Sequence, residues 1–274
     1  MKTKYSSLFS LPYLIWSLIF IIVPMGLVVV FAFTTESGQF TLDYVSQVGE
    51  YTSVLVRSVW LAAIATVICL LIGYPLAFIM SRMPGFQQQT MLMLIMLPMW
   101  MNFLLRTYAW MTILEKNGLL NKLLGLVGLG PFDMINTQGA VVLGMVYNYL
   151  PFMILPLYSI MTKIDNRTIE AAQDLGANTK NVFTRIVIPM SMPGISTGIT
   201  MVFVPSVSTF IISRMLGGGG NLLIGDLIDL QFLGNAYNPH LGSAISLVLM
   251  VLILLCMSVL NQFNGDEDRE GMLL

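Results

Sequence analysis

Aromatic side chains in two neighbouring apolar runs are the residues whose chemistry could act on a cation. Trp100, Tyr108 and Trp110 lie in one run, and Tyr147 and Tyr149 lie in the next. An aromatic face attracts an ammonium group by about 0.5–2 kcal/mol, and by more where water is excluded. Tryptophan and tyrosine also collect at membrane–water boundaries without binding a ligand. These residues are therefore candidate cation contacts or members of an interfacial belt.

Polar residues in the same region could take part in such a site. Asn102, Arg106 and Trp110 follow one another at four-residue intervals, which places them on roughly one face of a helix. We expect Arg106 to pair with a carboxylate or a carbonyl at a helix contact, or to extend to the membrane boundary. Three acids expected on the outer side could receive a polycation: Glu115, Asp226 and Asp229.

Signatures of catalysis and of nucleotide binding are absent from the sequence. No segment has the pattern G-x-x-x-x-G-K-[ST] of a P-loop, and His240 has no second histidine or cysteine nearby with which to bind a metal. The apolar runs contain no aspartate or glutamate, although proton- and sodium-coupled carriers generally need such groups. The sequence therefore predicts neither an enzyme nor a carrier that supplies its own energy.

The elements that hold these residues are predicted to be membrane-spanning helices. Of 274 residues, 56% are hydrophobic and only 10% are charged, whereas a soluble domain has roughly 25% charged residues. We therefore expect an all-α protein, a bundle of six transmembrane helices that forms a single domain over residues 1–274. Six apolar stretches are long enough to cross roughly 30 Å of hydrocarbon: Leu11–Phe33, Ser58–Met80, Thr90–Ile113, Gln138–Met161, Pro193–Ser213 and Leu241–Phe263.

The placement of lysine and arginine predicts the orientation. The first run is longer than a signal-peptide core of about 7–15 residues, so we expect a retained first span. With the N-terminus inside, eight of the 13 lysines and arginines fall on the inner side, among them Lys2 and Lys4. Because positive residues are enriched in cytoplasmic loops, both termini are predicted to be cytoplasmic. No basic patch indicates a nucleic-acid partner.

The connection between the fourth and fifth runs, residues 162–192, has a helical pattern of its own. Asp165 can cap a helix, and Gly176 stands where that helix would end in a left-handed residue. Asn178 or Thr179 can then cap a second short helix. The pattern predicts a helix–turn–helix at the inner face, with a break at Pro189 before the fifth span.

The predicted first helix of this loop has two distinct faces. Glu170 and Asp174 lie four residues apart on one face. Three apolar residues form a stripe on another: Ile169, Ala172 and Leu175. From the pattern alone, the helix could be covered by another protein or could be an interfacial helix that completes the bundle.

This loop resembles a motif of a known family. Its residues Glu170-Ala-Ala-x-x-Leu-Gly-Ala177, continued by Phe183, Ile186 and Pro189, resemble the "EAA" loop of permease subunits of binding-protein-dependent ABC importers. In that family the loop forms a coupling helix that sits in a groove of a cytoplasmic ATPase. The resemblance implies ten ATPase-coupling residues: Glu170, Ala171, Ala172, Asp174, Leu175, Gly176, Ala177, Phe183, Ile186 and Pro189.

The resemblance covers nearly the whole chain, and within the family it points to permeases for spermidine and putrescine. The matching stretches are Leu97–Tyr108, Tyr149–Tyr158 and Leu216–Gly225. The implied fold is the six-helix bundle of the type I ABC importer permeases. The expected substrate path consists of aromatic and polar residues: Trp100, Asn102, Tyr108, Trp110, Tyr147 and Asp226. Another solute, such as a phosphonate, an oxyanion or iron, is the alternative cargo, and a channel or an intramembrane enzyme is the alternative of another class.

The resemblance also implies partners in the bacterial inner membrane. These are a second permease, two cytoplasmic ATPases that hold ATP and magnesium, and an extracytoplasmic polyamine-binding protein. No cofactor or metal is expected in this chain itself. The segment Gly217–Gly220 is expected to be a flexible outer hinge. Two residues depart from the pattern, because relatives usually carry an acid near Arg214 and an asparagine near Asp226.

Overall fold

The computed structural model describes residues 12–234 and 236–270. Lys2 and Lys4, which contribute to the predicted orientation, lie outside the described residues. We number the helices in chain order: α1 Pro12–Ala32, α2 Thr52–Ser81, α3 Gly85–Trp100, α4 Phe103–Leu114, α5 Leu119–Leu126, α6 Gln138–Met161, α7 Asn166–Asp174, α8 Thr179–Val207, α9 Ile211–Leu216, α10 Ile224–Leu233 and α11 Pro239–Glu270.

The all-helical membrane fold predicted from composition is confirmed. Among the described residues, five helical segments are long and apolar enough to cross a membrane, and a bent pair raises the number to six if it counts as one span. The five segments contain α1, α2, α6, α8 and α11. They coincide with five of the six predicted apolar runs, because a continuous apolar stretch can satisfy its backbone groups in lipid only as a helix.

The third predicted span, Thr90–Ile113, is not one straight helix. The segments Gly85–Trp100 and Phe103–Leu126 meet at an angle of 88°. Between them Met101 is extended, and the side-chain oxygen of Asn102 accepts hydrogen bonds from the backbone N–H groups of Leu104 and Leu105. An asparagine in this role starts a new helix, so the prediction of a continuous span is wrong.

The fifth predicted span begins earlier than expected. Helix α8 begins at Thr179 and passes through Pro189 without a break, so the predicted break there is wrong. Residues Phe183–Val187 form a wider π-helical turn immediately before the proline. Such a turn already replaces the regular hydrogen-bonding pattern, and the missing N–H of proline therefore does not end the helix. The span stops at Val207, before α9.

The described residues group into two compact units. The first contains the described residues up to Ser53 together with Leu227–Leu254, and the second contains Val54–Asp226 and the described residues from Leu255 onwards. In the first unit, Nδ1 of His240 lies 3.0 Å from the carbonyl oxygen of Phe31, and its ring stacks on Tyr44. That the whole chain is a single domain stays a prediction.

The core of the second unit lies where α2, α6 and α8 pack together. A Cβ atom added at Gly198 of α8 would lie 2.6 Å from the sulfur of Met153 on α6. Small residues allow helices in a membrane to approach closely, so glycine at this position permits the close packing of α8 on Met153. One cluster of the core consists of Cys69, Ala77, Met80, Met153, Ile154, Leu157, Met161 and Val202.

Candidate functional sites

The loop 162–192 forms the two capped helices that its sequence predicts. The carboxylate of Asp165 accepts a hydrogen bond of 3.0 Å from the backbone N–H of Arg167, which begins α7. Asn178, rather than Thr179, caps the second helix, because its side-chain oxygen accepts from Asn181 N–H at 2.8 Å. These caps depend on neighbouring residues alone, which is why the sequence identifies them.

Gly176 ends α7 in the left-handed conformation, as predicted. Its φ is +87°. The N–H of Gly176 donates to the carbonyl of Gln173 at 2.9 Å, and the N–H of Ala177 donates to that of Ala172 at 3.0 Å. This pair of bonds is the Schellman arrangement, which satisfies the last carbonyls of a helix. The direction in which the chain leaves α7 is therefore set by this glycine.

The prediction that Ile169, Ala172 and Leu175 form one exposed apolar stripe on α7 is wrong. Ile169 and Ala172 are partly buried within this chain, whereas the side chain of Leu175 is 90% exposed. The first two pack on a small cluster of buried residues: Ile164, Val182 and Val187. The stripe divides because α8 folds back beside α7, a tertiary contact that helical spacing does not reveal. Asn166, Arg167 and Thr168 are exposed in the first turn of α7, and Glu170, Ala171, Gln173, Asp174 and the capping residue Leu175 are exposed further along.

The remaining predicted coupling residues attach the loop to the bundle. Phe183 contacts Tyr74 and Phe78 of α2 edge-to-face, with ring centroids 5.6 and 5.5 Å apart. Ala177 packs on the same buried cluster as Ile169. Ile186 and Pro189 are half-buried in α8. The ten residues thus form an exposed part with two acids and a partly buried attachment.

Arg82, directly after α2, also holds this loop, and sequence reasoning missed this contact. Its Nη1 donates to the carbonyl oxygen of Ile164 at 3.0 Å and to the side-chain oxygen of Asn166. The guanidinium lies over the ring of Phe78, 5.5 Å from its centroid. Burial away from water lowers the pKa of Arg82 from its ordinary value. The only signal in the sequence was a basic residue at the inner end of an apolar run.

Two of the predicted path residues meet at a groove in the second unit. Trp110 of α4 and Tyr147 of α6 contact each other edge-to-face, with centroids 5.3 Å apart. Both line a groove of about 700 Å³ that Trp60 of α2 also lines. The rest of the lining is apolar apart from Gln138. Trp60 was missed because it lies 50 residues from Trp110 in sequence, and only the packing of α2 brings it to the groove.

The other predicted aromatic residues lie elsewhere. Trp100, the last residue of α3, is 80% exposed, and Tyr108 is about half exposed. Neither lines the groove. The hydroxyl of Tyr149 donates to the carbonyl oxygen of Pro205 at 3.4 Å and so helps to join α6 to α8. These positions suit packing or a membrane boundary better than a shared binding site.

The polar residues near the groove have structural contacts of their own. The side-chain oxygen of Asn102 is occupied by the backbone of α4, as described above. Arg106 is buried, and its Nε and Nη1 atoms have no hydrogen-bond partner among the described residues. The guanidinium of Arg106 lies 5.9 Å from the ring centroid of Phe103. Neither side chain lines the groove.

Asp226 is fully buried, which differs from the expected exposed acid that receives a polycation. Its Oδ2 accepts hydrogen bonds from the hydroxyl of Ser213 at 2.5 Å and from the N–H of Leu223 at 2.9 Å. Its Oδ1 lies 3.6 Å from Nε of Arg214. In this conformation cargo cannot reach the carboxylate, because α9 and the start of α10 enclose it. Arg214 and Asp226 therefore contact each other.

The glycine segment Gly217–Gly220 forms a turn that is tied to Asn136, and its expected flexibility stays a prediction. Gly218 has a φ of +62°, and a Cβ atom added there would lie 2.7 Å from the side-chain oxygen of Asn136. The amide of Asn221 donates to the carbonyls of Asn136 and Gly217, each at 2.9 Å. Glycine is thus needed at Gly218 for the left-handed turn and at Gly217 and Gly218 for close approach, whereas Gly219 and Gly220 have open space around them.

Comparisons with known proteins show the family and the fold. Residues 70–264 match the family described as "Binding-protein-dependent transport system inner membrane component". The chain is 40% identical over 265 residues to the "Spermidine/putrescine transport system permease protein PotB" of Haemophilus influenzae, covering 93% of this chain and 92% of the relative. It is 37% identical over 248 residues to the protein of the same name from Escherichia coli, covering 87% of this chain and 90% of the relative.

Solved structures of low sequence identity share the fold. A bacterial ABC transporter involved in the import of the acidic polysaccharide alginate contains a chain with a TM-score of 0.75 and 20% identity, covering 96% of this chain and 94% of that chain. A bacterial alginate ABC transporter in complex with an alginate pentasaccharide-bound periplasmic protein gives a TM-score of 0.72 at 19% identity, covering 94% and 92%. Since the family match spans most of the chain, this protein belongs to the inner-membrane permease subunits of binding-protein-dependent ABC importers.

Proposed function

We propose that this chain is the membrane-spanning permease of an ATP-driven importer for spermidine or putrescine. The observation that carries the proposal is the 37–40% identity to two permeases of that name over most of each chain. The identity to the alginate transporters is about half as high. The polyamine relatives therefore support the cargo, whereas the alginate structures support the fold alone.

The groove lined by Trp60, Trp110 and Tyr147 suits a polyamine in transit. Its lining contains no charged side chain and offers three aromatic faces with apolar residues between them. Each face attracts an ammonium group by about 0.5–2 kcal/mol, and the apolar walls can contact the methylene groups of the cargo. Such weak contacts let cargo leave as readily as it enters, which a path requires.

The exposed face of α7 suits a cytoplasmic ATPase. Glu170, Asp174 and Leu175 project from a short helix that is fixed to the bundle on its other side. ATP and magnesium would be held by that ATPase, because the sequence of this chain has no P-loop. ATP binding would draw two ATPases together and carry the α7 helices with them, and hydrolysis would reset the bundle by alternating access.

The complete transporter would contain further subunits. We place a second, related permease beside this chain around a central pathway, two ATPases at the cytoplasmic face and a polyamine-binding protein at the outer face. We also propose that both termini are cytoplasmic, from the distribution of lysine and arginine. Reporter fusions at Leu274 and in the Thr34–Arg57 connection test the orientation, and an external reporter at Leu274 would contradict it.

The function is tested by uptake into cells that lack this chain. Restoring the gene for the chain is expected to restore ATP-dependent uptake of labelled spermidine or putrescine, and an excess of either unlabelled polyamine is expected to compete. Labelled phosphonate, oxyanion and iron serve as the matched alternatives. Restored uptake of one of these without polyamine uptake would overturn the cargo, and uptake without an associated ATPase would overturn the transporter class.

A further inference from the structure

Helix α2 carries an arginine near each of its ends, and each donates to the backbone of a different loop. Arg57 lies in the second turn of the helix, and Arg82 follows its last residue. At a rise of 1.5 Å per residue, 25 residues separate them by about 37 Å, which is more than the hydrocarbon thickness of a membrane. The two arginines therefore attach opposite ends of one helix.

At one end α2 holds the glycine segment Gly217–Gly220. Nη2 of Arg57 donates to the carbonyl oxygen of Leu222 at 2.6 Å, and Nη1 donates to that of Gly220 at 3.4 Å. The hydroxyl oxygen of the next residue, Ser58, accepts a bond of 2.9 Å from the N–H of Ile224. Consecutive residues of α2 thus fix the chain immediately after the glycine turn.

At the other end α2 holds both sides of the loop 162–192. Arg82 binds the start of the loop through Ile164 and Asn166. The end of the loop contacts α2 through Phe183, as described above, and through Ser191, whose hydroxyl lies 2.8 Å from that of Tyr74. Through these contacts, a displacement of α7 also displaces this end of α2.

Between its ends α2 is continuous and tightly packed. It remains one helix of 30 residues although Pro75 lies inside it. A Cβ atom added at Gly73 would lie 3.1 Å from Met153 of α6. The same helix supplies Trp60 to the groove. Packed helices move as rigid elements rather than deforming continuously, so a displacement at one end reaches the other.

We infer that Arg82 and Arg57 are positioning residues that make α2 the mechanical link between the ATPase-docked loop and the glycine segment at the opposite end. The inference rests on the proposed role of α7. Hydrogen bonds from a charged donor are the stronger ones. Nε and Nη2 of Arg82, and Nε of Arg57, are buried without a hydrogen-bond partner among the described residues. These spare donors let each arginine exchange acceptors while it stays attached to a moving loop.

The test uses the assembled transporter with its ATPase and binding protein. Arg82→Met and Arg57→Met are each expected to reduce binding-protein-stimulated ATP hydrolysis and uptake at least tenfold. Membrane abundance and ATPase retention on purification are measured for each variant, and stimulated hydrolysis and uptake are expressed per assembled complex. Arg82→Lys keeps the charge but loses the fork of donors. Its stimulated hydrolysis and uptake are expected to lie between those of Arg82→Met and those of the unmodified protein. Lys122→Met, which removes an exposed charge, is the control and should change nothing.

The double variant distinguishes one link from two separate anchors. If both arginines act through α2, Arg57→Met with Arg82→Met loses no more stimulation than the worse single variant. A loss equal to the product of the single losses would overturn the inference, as would normal stimulation in Arg82→Met. Retention of the ATPase on a chain with a disrupted α7 would instead overturn the proposed role of that helix.

A second measurement detects the movement of the glycine segment directly. It can be used even if Arg82→Met inserts poorly into the membrane. A fluorescent label on Gly219→Cys fits without collision, since nothing lies within 4 Å of a Cβ atom there. Cys69 and Cys256 are replaced by alanine in this background. Binding of a non-hydrolysable ATP analogue to the complex is expected to change the signal, and Arg82→Lys is expected to diminish that change. An equal change in both proteins would contradict the link.

Discussion

Nε of Arg214 and the Oδ1 atom of Asp226 lie 3.6 Å apart in an ion pair between α9 and the first turn of α10. The carboxylate is fully buried, whereas the arginine side chain is 47% exposed and extends over the ring of Phe210. The arginine therefore offsets the charge of the buried carboxylate, and the pair joins α9 to α10.

Asp226 is expected to stabilise the fold rather than bind cargo. Asp226→Leu would leave the Leu223 N–H buried without this acceptor, at a cost of about 1–3 kcal/mol, whereas the Ser213 hydroxyl could still donate to the carbonyl of Phe210. The melting temperature of the variant in detergent should therefore fall. Asp133→Leu is the matched control, because Asp133 is exposed and its ion pair with Lys116 is at the surface. Equal midpoints for the two variants would refute this role.

Trp60, Trp110 and Tyr147 are expected to contribute to transport through their aromatic faces. Replacing each by alanine should weaken uptake per inserted molecule by an amount equivalent to about 0.5–2 kcal/mol, and Tyr147→Phe should retain part of the effect. Trp100→Ala is the control, since Trp100 lies outside the groove. Labelled-polyamine uptake is measured relative to membrane abundance. A loss for Trp100→Ala as large as that for Trp110→Ala would argue against the groove.

Gly176 is expected to set the direction of α7 for the ATPase. Nothing lies within 4 Å of a Cβ atom there, so Gly176→Asp introduces backbone strain of about 1–2 kcal/mol without a collision. The permease should remain inserted while ATPase retention and uptake fall. Gly176→Asn should be milder, because asparagine tolerates the left-handed conformation. Full ATPase retention with normally stimulated hydrolysis in Gly176→Asp would remove the coupling assignment.

The two parts of the α7 stripe are expected to respond differently to substitution. Leu175→Asp changes an exposed side chain, so ATPase retention should fall without loss of thermal stability. Ile169→Ala removes packing within this chain and should reduce the thermal midpoint of the free permease instead. Both quantities are measured on the same purified variants. Loss of ATPase retention only in Ile169→Ala would show that the buried part forms the docking face.

Local features of this protein were predictable from the sequence. The cap at Asp165, the left-handed end at Gly176 and five of the six apolar runs depend on interactions within a few residues, and the structure confirms them. Asn102 shows the limit of such reasoning. Asparagine is a common N-cap residue, but the long apolar run around Asn102 predicted a continuous span. In the structure Asn102 caps α4 and the span is bent there.

Contacts between distant residues were decided by the tertiary structure. The sequence by itself determined that the chain crosses a membrane as helices and presents a capped inner loop, because hydrophobic length and helix capping are local properties. Only the packing of α2 against α6 and α8 decided that Trp60 joins Trp110, that Arg82 binds the loop and that part of the α7 stripe is covered. Asp226 was misplaced for the same reason, since the partners that bury it come from another helix and no spacing in the sequence encodes that approach.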